Sequence, residues 1–131
     1  MDNAMVYLAV AGGSALGGVG RFWLSGLAAR SFGETFPWGT MLVNISGSFV
    51  IGFFAAVTGP DGRWAAGSRF SPFFAVGICG GYTTFSSFSL QTLGLAQQGQ
   101  MLHAAGNVVG SVILCLAAVW LGHALGQALN R

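Results

Sequence analysis

The side chains of this sequence that could do chemistry are almost all uncharged hydrogen-bond donors set among apolar residues. Adjacent glycines followed by β-branched threonines form helix poorly, so we expect a helix break where these residues are most concentrated. Within hydrocarbon, a break is tolerated only where it is buried in protein or lines a wet cavity, and membrane proteins build ion sites in this way. A glycine-rich packing kink is the alternative interpretation. The segment reads Gly80-Gly81-Tyr82-Thr83-Thr84-Phe85-Ser86-Ser87-Phe88-Ser89.

Further donors follow helical spacing on two other segments. Asn44 shares one predicted helix face with Thr40 and Ser48, and Asn107 lies one turn before Ser111. Asn44 is interpreted either as a ligand or as a bridge between two helices. All of these groups donate hydrogen bonds, whereas cation carriers and proton-coupled pumps normally need a carboxylate within the membrane. The donor set therefore favours an anion.

Two aromatic rings and one arginine extend this pattern. Phe85 and Phe88 follow the expected break at helical spacing. Ring edges bear the positive end of the aromatic quadrupole, so rings placed edge-on can line an anion path, although ordinary core packing is the commoner role. Arg21 is the formal charge that lies well inside a predicted span, where burial is costly. We interpret Arg21 as part of a wet vestibule that concentrates anions, with snorkelling to the interface as the alternative.

Composition places these residues in a membrane. Of 131 residues, 53% are hydrophobic and 6% are charged, whereas soluble domains are about a quarter charged. A bilayer core of about 30 Å takes roughly 20 apolar residues per helix, so the length fits four spans and leaves no room for a catalytic soluble domain. We predict an all-α integral membrane protein with one domain, 1–131, whose spans cover about 3–29, 38–58, 70–96 and 101–129. The net charge of +2 is too small and too scattered for a nucleic-acid partner.

Small residues within the predicted spans are expected to pack helices against one another. Glycines four residues apart let two backbones approach closely. Cys79 and Cys115 also fall within spans, and we expect both to be free thiols that pack as small hydrophobes. The glycine pairs are Gly13-xxx-Gly17, Gly106-xxx-Gly110 and Gly122-xxx-Gly126.

The arginines give no strong preference for one orientation in the membrane. With four spans, Arg63, Arg69 and Arg131 lie on one side, and Arg30 with the nearby Arg21 lies on the other. A clear excess on one side is needed to fix topology. Two oppositely oriented copies would then form an antiparallel homodimer about a two-fold axis in the membrane plane. Such a dimer would also hide the polar residues that a four-span monomer cannot bury.

Other classes of function fit the sequence less well. His103 and His123 lie roughly 30 Å apart on one predicted helix at ~1.5 Å per residue, so they cannot share a metal within one chain. No serine has an acid–base partner at a known spacing, so we do not expect an enzyme. A small multidrug–proton antiporter would require a carboxylate within a span. A structural membrane protein is the remaining alternative if the polar residues only join helices.

The sequence resembles the Fluc (CrcB-like) fluoride channel family. The similarity rests on the glycine, threonine and phenylalanine segment 80–89 and extends over all four spans. It also includes a second segment, Trp38-Gly39-Thr40-Met41-Leu42-Val43-Asn44-Ile45-Ser46-Gly47-Ser48, and a third, Gly17-Gly18-Val19-Gly20-Arg21. One departure is that Asn107 stands where the family often has a tyrosine, one turn before Ser111. A smaller one is Ser87, where a threonine is often found.

The resemblance implies a passive fluoride-selective channel in the bacterial inner membrane that exports cytosolic fluoride. It implies a dual-topology antiparallel dimer with two pores and one central structural sodium ion. In this chain, the carbonyls of Gly80 and Thr83 would bind the sodium, and Arg21 would lie at the vestibule. The implied fluoride pore contains Asn44, Thr84, Phe85, Phe88, Asn107 and Ser111.

Overall fold

Helices account for nearly all of the computed structural model, which describes residues 3–60, 62–64 and 70–131. Four helical spans are long and apolar enough to cross a membrane, and the described residues include no strand, as the sequence predicts. Arg69, which entered the topology argument, and the nearby Asp61 lie outside the described residues. The spans are α1 (Asn3–Phe32), α2 (Trp38–Thr58), an interrupted third span (Pro72–Gln97) and a last helix (Met101–Leu129).

The third span has three parts, because its backbone changes conformation twice. It begins with a π-helical segment (Pro72–Cys79), continues as the short helix α3 (Gly80–Tyr82), and resumes as α4 (Phe85–Gln97). The last helix is therefore α5. The π-helical part is defined by wide turns such as the one closed by the Gly80 N–H, which donates to the Ala75 carbonyl five residues earlier. This segment was not predicted from the sequence.

The break lies at the threonines rather than at the glycines. Gly80 keeps helical angles (φ −65°, ψ −39°), whereas Thr83 (ψ 156°) and Thr84 (φ −151°, ψ 118°) are extended. The β-branched side chains favour this extended backbone. Gly81 instead permits a close approach, since a Cβ there would lie 2.6 Å from the Ser14 carbonyl oxygen. The predicted break in the segment 80–89 is confirmed, and both of its glycines remain helical.

Small residues hold the spans together in two pairs. α2 packs along α5, where side chains at Gly122 and Gly126 would collide with the backbone of Phe49 and Phe53. α1 packs against the first half of the third span, where a side chain at Gly17 would collide with the Ile78 carbonyl. These packing predictions are confirmed.

The remaining glycine pair behaves differently. Nothing lies within 4 Å of a Cβ built at Gly106, because this side of α5 faces away from α2. A Cβ at Gly110 would lie 3.3 Å from the end of the Met41 side chain. Gly106 therefore packs against nothing among the described residues of this one chain, and its role in a packing pair stays a prediction.

Candidate functional site

A cavity of about 420 Å³ lies beside the break, between the two halves of the third span, α2 and α5. None of the described residues that line it is acidic. Most of the residues that the sequence singled out come together here, although they are far apart in the chain. These are Asn44, Gly80, Thr83, Thr84, Phe85, Phe88 and Ser111.

The side chain of Asn44 is bonded to the backbone of the break. Its Nδ2 donates to the Thr84 carbonyl at 3.0 Å, and its Oδ1 accepts from the Thr84 N–H at 2.8 Å. In a continuous α-helix, the Thr84 N–H would donate to the carbonyl of Gly80. The Gly80 carbonyl has lost that donor to Asn44. The two readings of Asn44 are thus compatible, because an amide nitrogen has two hydrogens and only one is used here.

The second half of the third span begins with a side-chain cap. Thr84 Oγ1 accepts from the Ser87 N–H at 3.1 Å, which is the bond an N-cap residue makes. In a continuous helix, the Ser87 N–H would donate to the carbonyl of Thr83. The Thr83 hydroxyl itself donates to the Cys79 carbonyl at 3.0 Å. The carbonyls of Gly80 and Thr83 are therefore among those that the break deprives of their helical partners.

These two carbonyls have the chemistry that a sodium ion requires. Unwound backbone carbonyls coordinate Na⁺ in broken membrane helices, because hard oxygen atoms suit this ion. The Gly80 residue is exposed on the surface of a single chain, so its carbonyl is not enclosed by the rest of the protomer. The donor set thus fits the ion that the resemblance implies.

The two predicted rings stand at the start of α4, on the wall of the cavity. The centroids of Phe85 and Phe88 are 5.4 Å apart, and the ring planes are tilted by 46°. Phe85 is 77% exposed in the single chain, whereas Phe88 is half-buried. Thr84 bonds Asn44 and also caps α4. It therefore fixes the start of the helix that carries both rings.

Asn107 lies one turn from the cavity and is almost fully buried, with 1% of its surface exposed. Its Nδ2 donates to Thr92 Oγ1 at 2.9 Å, and its Oδ1 accepts from Ser111 Oγ at 3.3 Å. Thr92, which the sequence argument did not select as a site residue, joins α4 to α5 through this bond. Ser111 lines the cavity, but Asn107 does not.

A second cavity of about 780 Å³ lies at the end of the bundle where α1 and α4 end. On α2 it includes Thr40, one turn before Asn44. On α4 it includes Leu95, whereas the first cavity includes Phe88. The second cavity also includes Gln91, so Thr92 lies at its level on α4, and the pair of Asn107 and Thr92 lies one turn from the first cavity.

Arg21 is not brought to either cavity. It is partly exposed on α1, which packs against the first half of the third span rather than against α5. A vestibule role for this arginine stays a prediction. His103, which continues the polar stripe of Asn107 and Ser111 in sequence, is exposed, and its ring centroid lies 6.1 Å from that of Phe36.

Sequence reasoning also missed the cap and one tether at the break. The signal for the cap was available, because a threonine followed three residues later by a small polar residue is a common start of a helix. The tether joins Ser46 Oγ and Tyr82 Oη at 2.8 Å. It connects α2, two residues after Asn44, to the last residue of α3 and supports the backbone just before the break.

Together, these features define a class of small four-span membrane protein with an interrupted third helix and a polar cavity at the interruption. The family described as CrcB-like protein, Camphor Resistance (CrcB), matches residues 8–123. The chain belongs to this family.

Three proteins that are similar in sequence to this chain share one name. The Fluoride-specific ion channel FluC of Rhodospirillum rubrum is 62% identical over 127 residues, covering 97% of this chain and 98% of the relative. The protein of that name from Methylocella silvestris is 55% identical over 127 residues, covering 97% of each. That of Opitutus terrae is 59% identical over 125 residues, covering 95% of each.

Proposed function

We propose that this protein is a passive, fluoride-selective ion channel, and not an enzyme, that exports cytosolic fluoride across the bacterial inner membrane. The observation that carries the proposal is the single cavity that unites Asn44, Phe85 and Phe88 at the helix break. Support comes from relatives that are named as fluoride-specific channels and match nearly the whole chain. The absence of acidic residues from the described lining of the cavity suits an anion.

Fluoride is small and strongly hydrated, so its water shell must be replaced by closely spaced donors. Asn44 is held by its two bonds to Thr84 and keeps one amide hydrogen for an anion. The edges of Phe85 and Phe88 supply positive ring potential beside it. Thr84, Asn107 and Ser111 complete the polar part of the pathway. Chloride is larger, and a path narrow enough to dehydrate fluoride excludes it.

The working unit in this proposal is an antiparallel homodimer with two pores. Phe85 is 77% exposed, and Gly80 is exposed as well, so a single chain leaves the site open on one side. A second copy in the opposite orientation would cover both residues, and the nearly even distribution of arginines allows both orientations. The surrounding face is apolar and suits either the partner or the lipid of the membrane.

A structural sodium ion at the centre of the dimer is part of the same proposal. The carbonyls of Gly80 and Thr83 from each subunit would hold it, since both have lost their helical donors to side chains. The ion would supply positive charge that offsets the convergence of carbonyl dipoles from two broken helices. The break would then serve as the joint between the two subunits.

The direction of transport follows from electrostatics and needs no coupled ion. Fluoride enters cells as neutral HF and is trapped as the anion in a less acidic cytosol. An inside-negative potential drives an anion outward with ~2.3 kcal/mol per charge per 100 mV. A proton-coupled antiporter would need a carboxylate in a span, and Asp2, Glu34 and Asp61 all lie outside the predicted spans.

Fluoride efflux from liposomes tests the proposal directly. Vesicles loaded with potassium fluoride and containing the purified protein should release fluoride when valinomycin makes the membrane permeable to potassium. Vesicles loaded with potassium chloride should retain chloride under the same conditions, and protein-free vesicles should retain both. Release of the two ions at comparable rates would refute selectivity, and retention of both would refute channel function.

A further inference from the structure

Three side chains and one carbonyl form a directed chain of hydrogen bonds between α5 and α4. Ser111 Oγ donates to Asn107 Oδ1 at 3.3 Å, and Asn107 Nδ2 donates to Thr92 Oγ1 at 2.9 Å. Thr92 Oγ1 in turn donates to the carbonyl of Phe88 at 2.7 Å. The chain thus runs from a residue that lines the cavity to the backbone of one of its rings.

The direction of this chain is fixed at its far end. A backbone carbonyl can only accept, so the single Thr92 proton is committed to Phe88. Thr92 Oγ1 can therefore only accept from Asn107, which places the amide nitrogen toward Thr92 and the amide oxygen toward Ser111. Because Asn107 is 1% exposed, water does not offer it another partner.

This direction determines what Ser111 presents to the cavity. A serine hydroxyl has one proton and two lone pairs. With its proton directed at Asn107, Ser111 offers only lone pairs to an ion in the cavity, and lone pairs repel an anion. A hydroxyl that belongs to the proposed pathway therefore faces it in the orientation least suited to fluoride.

We propose that Asn107 is a positioning residue that withholds the Ser111 proton from the pathway and thereby limits fluoride throughput at the cavity beside the helix break. This inference rests on the proposed channel function. The bond from Ser111 to Asn107 is long at 3.3 Å, so a passing fluoride draws the hydroxyl toward itself by breaking one weak hydrogen bond. Ser111 therefore adds an energetic barrier to fluoride passage in addition to the one at Phe85 and Phe88.

The experiment changes the far end of the chain and leaves Asn107 and Ser111 in place. Thr92→Val removes the acceptor that fixes the amide, so the amide can turn, donate to Ser111 and free the serine proton. Fluoride efflux from liposomes should then rise, on the order of fivefold for one ordinary hydrogen bond. Thr92→Ser retains a hydroxyl and is the matched control, with efflux close to wild type.

The decisive measurement is the effect of Ser111→Ala in two backgrounds. In the wild-type background, it should raise efflux, because it removes lone pairs that face the anion and takes away no proton that fluoride uses. In the Thr92→Val background, it should abolish the gain. If Thr92 acted only in packing, Ser111→Ala would change efflux by the same factor in both backgrounds. Opposite effects of Ser111→Ala in the two backgrounds therefore distinguish a positioning role from a packing role.

The outcomes distinguish this inference from the proposed function. If the wild-type protein releases no fluoride, the proposed function is refuted and the inference with it. If the wild-type protein releases fluoride but Ser111→Ala lowers efflux by the same factor in both backgrounds, only the inference is overturned. Should Thr92→Val not assemble, Asn107→Ala frees the same proton by removing its acceptor, and the same change of sign is expected.

Discussion

Asn44 and Thr84 are joined by a pair of hydrogen bonds, side chain to backbone in both directions, at 3.0 and 2.8 Å. This pair replaces the helical bond that the third span loses at its interruption. A broken backbone in hydrocarbon is costly when its polar groups are unpaired. Asn44 therefore makes the break tolerable, and in doing so it releases the carbonyl of Gly80.

Asn44→Leu should disable the channel and weaken the fold. The substitution leaves the N–H and carbonyl of Thr84 without partners, at a cost of about 1–3 kcal/mol for each buried group. Fluoride efflux should fall by an order of magnitude or more, with a lower Tm in detergent. Val50→Ala is the control on the same helix, since Val50 is exposed and lies outside the cavity. Wild-type efflux in Asn44→Leu would remove Asn44 from the site.

Phe85→Ile and Phe88→Ile should each reduce fluoride efflux strongly. Isoleucine fills much of the space of a phenylalanine but has no ring edge, so it removes the positive potential while retaining an apolar side chain. Size-exclusion profiles should be unchanged. Phe49→Ile, on the outer face of α2, is the control for loss of an aromatic residue. Normal efflux in both ring variants would assign the two rings to packing.

Gly17→Ala should destabilise the protein, whereas Gly18→Ala should not. A Cβ at Gly17 collides with the carbonyl of Ile78, but one at Gly18 meets nothing within 4 Å. Overpacking of this kind costs about 1–3 kcal/mol, which a thermal melt in detergent resolves. Equal Tm values for the two variants would mean that α1 does not approach the third span at this point.

Tags at the C-terminus should be found on both sides of the membrane. The even distribution of arginines predicts insertion in both orientations. A reporter that is active only in the cytoplasm and one that is active only outside should both give signal from this chain. Adding two lysines to the loop between α1 and α2 is the control, because it should drive the population to one orientation. A single orientation of the wild-type chain would exclude the antiparallel dimer.

Sodium should raise the thermal stability of the dimer. An ion that binds only the assembled state stabilises it by mass action. The Tm in sodium chloride should therefore exceed that in N-methylglucamine chloride of equal ionic strength, and the difference should grow with sodium concentration. Identical melting curves in the two salts would contradict a sodium site at Gly80 and Thr83.

The sequence predicts the spans well, because their ends depend on local signals. Pro37 and Trp38 mark the start of α2, and the polar turn at Gln97–Gln100 separates α4 from α5. Asn44 and the two rings could be assigned to one site because helical spacing and chemistry pointed to the same residues. These features need no knowledge of which spans are neighbours.

The remaining features depend on neighbours that the sequence does not name. The π-helical segment lies where Gly77 closely approaches Gly13 of α1, and such tertiary packing is not contained in helix propensity. Asn107 was expected to face the ion, but its partner proved to be Thr92, fifteen positions earlier. Hydrogen-bond direction at a buried amide is visible only once both partners are in place.

The π-helical turns of Pro72–Cys79 set the rotational phase of everything that follows them. A π-helix has more residues per turn than an α-helix. The cap and both rings therefore face a different direction from the one they would face after an α-helical segment of the same length. Converting the segment to regular α-helical turns at the same length would keep every polar and aromatic side chain, yet rotate the cap and both rings away from the cavity. A change in the turns of this apolar segment would therefore impair function without removing any of the polar or aromatic groups of the site.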